Sequence, residues 1–125
     1  MERKNIITGI AVLVFYLVLG AYLKTQLGSG EEWIKSMQHG LWKAAHVHGA
    51  IFGILNILFG LLIATFSLQG NLIKIAGILA VVGAIFMPFG LFLTGIAAVF
   101  QVMTPIGGFS MILAWILMGV EYVRR

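Results

Sequence analysis

Apolar residues fall in four long runs, over about residues 6–23, 41–66, 72–100 and 106–123. A helix that crosses about 30 Å of hydrocarbon needs roughly 20 apolar residues, and each run meets that length. Backbone facing lipid must satisfy its own hydrogen bonds, so the runs are predicted to be helices. None of them alternates apolar and polar residues, as a membrane strand would. The expected fold is therefore all-α, a four-helix transmembrane bundle forming one domain over residues 1–125. The first run has a basic start at Arg3 and Lys4 and a small residue at Gly20, like a signal peptide. It is long for one and three more runs follow, so it is read as a retained helix.

The polar breaks differ in kind. Residues 24–40, KTQLGSGEEWIKSMQHG, form the only sizeable loop. Gly28, Ser29 and Gly30 break the chain. A short interfacial helix is expected from Glu31 to Gln38, with Trp33 and Met37 on its lipid side. The second break, SLQGN, is a tight turn at Gly70 and Asn71. The third, QVMTP, puts Pro105 at the first position of the fourth helix.

Composition narrows the function classes. Hydrophobic residues make up 61 % and charged residues 10 %, against roughly 45–50 % and 25 % in soluble domains. A soluble enzyme and a disordered binder are excluded. The net charge of +4 is spread toward the ends, which suits anionic lipid head groups rather than nucleic acid. Arg3, Lys4, Lys74, Arg124 and Arg125 lie on one side of the membrane, and Lys24, Lys35 and Lys43 on the other. Five cations against three predict that both termini are cytoplasmic. The absence of cysteine excludes disulfides, thiolate haem ligation, Fe–S clusters and cysteine catalysis.

The candidate chemistry is concentrated in the three histidines, His39, His46 and His48. His46 and His48 point about 200° apart on a helix, so one metal cannot readily take both. His46 lies inside the second run, where an ionisable group is a functional candidate by default. Its helix face also carries Trp42, Gly49, Gly53 and Gly60, with Asn56 at the edge. Gly49 and Gly53 let a flat surface approach the backbone, either another helix or a porphyrin. Two readings are open here: a neutral imidazole ligating haem, or a helix-packing motif beside an interfacial histidine. His48 is expected to pack and His39 to be solvated. On the third helix Gly83, Met87, Gly90, Thr94 and Gln101 form a small, weakly polar face, with Pro88 as a kink. Met87 is a conceivable second ligand, although core filling is its ordinary use.

Trp42-Lys43-Ala44-Ala45-His46 followed by Ala50-Ile51-Phe52-Gly53 resembles styrene oxide isomerase and the related hydroxylaminobenzene mutases, small four-span membrane proteins. The register continues to Gly77, and Gly9-Ile10 and Leu19-Gly20 of the first span look similar too. The resemblance covers about half the chain. It implies a homotrimer with haem b between subunits and His46 as axial ligand. It also implies ferric iron acting as a Lewis acid that opens an epoxide to an aldehyde. The family's Asn near the haem falls at Phe52, its substrate-holding Tyr at about Leu91 and a third-span Asn at about Met87. The polar orienting groups are thus absent, and Asn56, then Thr94 or Gln101, are the candidates to replace them. The last helix, with Thr104-Pro105-Ile106-Gly107-Gly108, Ser110 and Trp115, is similar instead to an uncharacterised four-span family.

These readings together predict a haem b protein of a prokaryotic cytoplasmic membrane. His46 is the metal ligand, and Trp42, Gly49 and Gly53 lie at the cofactor. Asn56 and Thr94 are the candidate catalytic groups, and a small apolar substrate would arrive from the bilayer. The alternative is a structural or accessory membrane protein whose glycines only pack helices.

Overall fold

The computed structural model describes residues 1–26, 30, 32 and 36–125. Its helices are α1 (Glu2–Thr25), α2 (Met37–Thr65), α3 (Asn71–Thr94) and α4 (Met103–Arg124), with a short 3-10 turn at Ala98–Val102 before α4. No strand occurs among the described residues. Among the described residues, four helical segments are long and apolar enough to cross a membrane, and the chain is an all-α integral membrane protein. Trp33 and most of the expected interfacial helix lie outside the described residues. Met37 instead opens α2, where the Ser36 hydroxyl accepts a hydrogen bond from the His39 N–H at 3.2 Å as its N-cap. That cap extends α2 outward through Gly40, beyond the apolar run.

Two helix pairs are joined by glycines. On α1 and α2, a Cβ at Gly53 would lie 2.9 Å from both the Gly9 carbonyl oxygen and the Leu13 nitrogen. One at Gly60 would lie 2.6 Å from the Glu2 carbonyl oxygen. On α3 and α4, a Cβ at Gly83 would lie 2.9 Å from the Met111 nitrogen, and one at Gly90 2.7 Å from the Thr104 nitrogen. Hydrocarbon gives helices no hydrophobic reason to associate, so close backbone approach and dispersion hold such pairs. The third-helix face of Gly83, Met87 and Gly90 therefore looks toward α4.

The third helix ends at Thr94, short of the apolar run that continues to Phe100. The run contains two elements because α2 satisfies the carbonyls at the end of α3. Trp42 Nε1 donates to the Phe92 carbonyl at 3.0 Å and Gln38 Nε2 to the Gly95 carbonyl at 3.0 Å. Ala97 is extended and the chain turns before α4. Pro105 stands in the first turn of α4, not at its first position; its missing N–H is harmless there because the first turn has no intrahelical acceptors. At the other membrane face, the turn between α2 and α3 places Gly70 at φ 112°, as glycine permits. Arg125 donates to the Ser67 carbonyl at 2.9 Å and the Gln69 carbonyl at 3.2 Å, fastening the end of α4 to that turn.

One buried polar link ties three helices. Asn5 Nδ2 donates to Asn56 Oδ1 at 2.8 Å and to the Gly77 carbonyl at 3.0 Å. Asn5 Oδ1 and Asn56 Nδ2 are buried without a hydrogen-bond partner among the described residues. Removing one amide strands the other, at about 1–3 kcal/mol, whereas removing both is close to neutral. Asn5→Leu and Asn56→Leu should each lower stability in a detergent unfolding titration by that amount. The double variant should recover most of the loss; additive losses would show that the amides act separately.

Candidate functional site

His46 is held by the first helix. Its Nδ1 lies 2.6 Å from the Tyr16 carbonyl oxygen. A carbonyl only accepts, so Nδ1 carries the proton and donates it. In the neutral ring, Nε2 is then the basic nitrogen. Within α1 the Tyr16 carbonyl is also the acceptor for the Gly20 N–H, four residues on. Gly20 exposes that carbonyl: a Cβ there would fall on the imidazole ring of His46. A hydrogen bond from the second ring nitrogen to a carbonyl is the arrangement that orients a metal-ligating histidine and raises its basicity.

Beside His46 is an open hollow of about 310 Å³, lined by Gly20, Leu23 and Lys24 of α1 and by His39, Lys43 and His46 of α2. It lies where α1 ends and α2 begins, at the membrane face opposite the termini. His39 is half-buried and lines this hollow, rather than standing in solvent. His48 turns away and its Nδ1 bonds the Ala44 carbonyl of its own helix at 2.9 Å. Among the described residues no three His, Cys, Asp or Glu side chains gather as a metal cage.

The other expected site residues lie elsewhere. Trp42 stacks on Phe92, with ring centroids 5.0 Å apart, and caps α3. The Tyr16 ring rests on Gly49, where any Cβ would overlap it, and Gly53 meets the backbone of Gly9 and Leu13. The flat surface that approaches this glycine face is thus α1 of the same chain, so the face is closed to a porphyrin. It has a packing role because α1 needs close approach to reach its buried position. Asn56 is ten residues from His46, about 15 Å along the helix, and is engaged by Asn5. It cannot act beside His46. Thr94 Oγ1 donates to the Gly90 carbonyl of its own helix, and Thr94 does not line the hollow. Met87 packs at Gly107 of α4. Phe52 lines a larger apolar groove of about 620 Å³ between α2 and α4, with Leu55, Gly108, Met111 and Trp115.

The sequence reading did not single out the Tyr16 carbonyl, Gly20, Leu23, Lys24 or Lys43 as site groups. Lys43 lies within the Trp42-to-His46 motif and Gly20 within the Leu19-Gly20 pair, which were the available signals. A backbone carbonyl has no sequence signature. Compared with known proteins, the chain matches no family model, no curated protein and no solved structure. What can be said of the class rests on the fold: a four-helix integral membrane protein with one tethered imidazole at the mouth of an interfacial hollow.

Proposed function

We propose that this membrane protein binds haem b, which His46 Nε2 would hold. The observation that supports the reading is the tether: Nδ1–H donates to the Tyr16 carbonyl, leaving the basic nitrogen without a hydrogen-bond partner among the described residues. The hollow is at the low end of the roughly 300–1,000 Å³ of small-molecule sites, so a macrocycle projects beyond it toward lipid or a neighbouring copy. A homotrimer is the assembly proposed, with the copies meeting on a face other than that of Gly49 and Gly53. The five-to-three distribution of cations supports a cytoplasmic side for both termini, and the membrane proposed is the cytoplasmic membrane of a prokaryote.

Ferric haem held there would supply a Lewis acid for an epoxide oxygen, and the proposed reaction is isomerisation of a small apolar epoxide to an aldehyde. This chain's own residues tether the imidazole and surround it with Gly20 and Leu23. They bring no Asn or Tyr to orient a substrate. Loss of one such donor typically costs about 10²–10³ in rate. Turnover of styrene oxide should therefore be weak, abolished by His46→Ala and unchanged by Asn56→Ala at equal folded protein. Aldehyde formation checks this, and turnover that survives loss of His46 would refute the haem mechanism.

A second reading, a structural or accessory protein, is favoured by one observation: Gly49, Gly53 and Gly60 are all used to seat α1. The absorption spectrum separates the two. Protein purified from haem-replete cells shows a Soret band under the first reading and is colourless under the second.

A further inference from the structure

We infer that Lys24 and Lys43 form a cationic rim that takes an anionic oxygen group, a carboxylate or a phosphate, of an amphipathic ligand whose apolar body lies in the His46 hollow. Lys24 comes from the end of α1 and Lys43 from the start of α2, and both line the same hollow. Among the described residues, no Asp or Glu lines it. Neither lysine makes an ion pair among the described residues; the pairs involving the Glu2 and Glu121 carboxylates lie at the opposite face. Isolated interfacial lysines commonly reach out to head groups along their own stems. Here two of them, from different helices, converge on one hollow. Its floor is apolar or small, from Leu23, which is buried, and Gly20. Two like charges brought together without a counter-charge among the described residues favour an anion between them, and the apolar wall below favours an apolar body attached to it.

The anionic group has two sources. One is the carboxylates of a porphyrin, and in that form the inference rests on the His46 reading. The other is the phosphate of an anionic phospholipid, and in that form it does not. The experiment uses the full chain in mild detergent, with wild type, the exposed-surface double variant Lys24→Gln/Lys43→Gln, and His46→Ala. Each is titrated with haem b and with its dimethyl ester, and reconstituted with phosphatidylglycerol or phosphatidylcholine for native mass spectrometry.

Exposed charge pairs contribute modestly, so the double variant is expected to bind the carboxylate or phosphate ligand about fivefold to tenfold more weakly. If haem affinity falls in the double variant while affinity for the ester is equal in both proteins, the rim holds porphyrin carboxylates. If neither porphyrin binds, but phosphatidylglycerol is retained over phosphatidylcholine and lost from the double variant, the rim holds lipid phosphate and the haem reading falls. If haem binding requires His46 but is the same in the double variant, and lipid retention is also unchanged, the haem reading stands and the rim is overturned. Indifference of all ligands to Lys24 and Lys43 overturns it as well.

Discussion

Replacing His46 by alanine is expected to lower the haem-to-protein ratio of the purified protein at least tenfold, whereas His39→Ala and His48→Ala retain haem. The imidazole of His46 has one nitrogen fixed by a carbonyl of another helix. His48 is bonded to its own helix and does not line the hollow. His39 lines the hollow, but it lies seven residues away, a rise of about 10.5 Å. It cannot share one iron with His46, whose coordinating nitrogens would have to lie about 4 Å apart, twice a metal–nitrogen distance of roughly 2 Å. The tether gives a second test. A Cβ at Gly20 would overlap the ring, so Gly20→Ala should displace the imidazole from the Tyr16 carbonyl. Loss of such an orienting partner typically costs 10–100-fold in metal affinity. The Soret absorbance per protein, with circular dichroism to confirm helix content, reads both effects. Full haem content in the His46 variant would remove the assignment, and an unchanged Gly20→Ala would remove the role of the tether.

The largest expected effect on stability is at Gly107, and its neighbour Gly108 is the control. A Cβ on Gly107 would fall on the Met87 backbone of α3, while one on Gly108 meets nothing within 4 Å. Backbone cannot rotate away as a side chain can, so α4 must move off α3. Overpacking of this kind costs typically 1–3 kcal/mol. The movement also disturbs the contacts of Gly83 with Met111 and of Gly90 with Thr104, which place Gly107→Ala at the upper end of that range. Gly108→Ala should have the opposite sign. It adds a methyl in open space and relieves the helix of a glycine, which is about 1 kcal/mol less favourable than alanine in a helix interior. Unfolding titrations in mixed micelles should separate these adjacent variants in opposite directions from wild type. Equal destabilisation would show that the glycine contact between α3 and α4 is not what holds them.

Several errors of the sequence reading have one physical origin, the partner helix. The apolar run over 72–100 is continuous in hydropathy, and nothing local marks its break at Thr94. The break is made tolerable by Trp42 and Gln38, which cap carbonyls from 57 or fewer positions away in the chain. The spacing of Gly49 and Gly53 showed that something flat would approach. It could not distinguish α1 from a porphyrin, because both exploit the same missing side chains. Asn56 looked like a substrate-orienting group from its helix face. Its amide oxygen is taken by Asn5, 51 positions earlier, and helical periodicity alone is silent about which distant residue fills a face.

The sequence by itself determined the four spans and the helical class. Long apolar runs cannot cross hydrocarbon unless each segment pairs its own backbone, so composition and length decide that level without reference to neighbours. It also determined that His46 is an ionisable group inside a span, on the helix face of Gly49 and Gly53. Only the tertiary structure decided which glycine faces are consumed in packing and where α3 ends. It also joined His46 to a hollow with Gly20, Lys24 and Lys43. Those outcomes depend on close approach between backbones and on a carbonyl that Gly20 leaves uncovered, and such contacts exist only once α1 lies against α2.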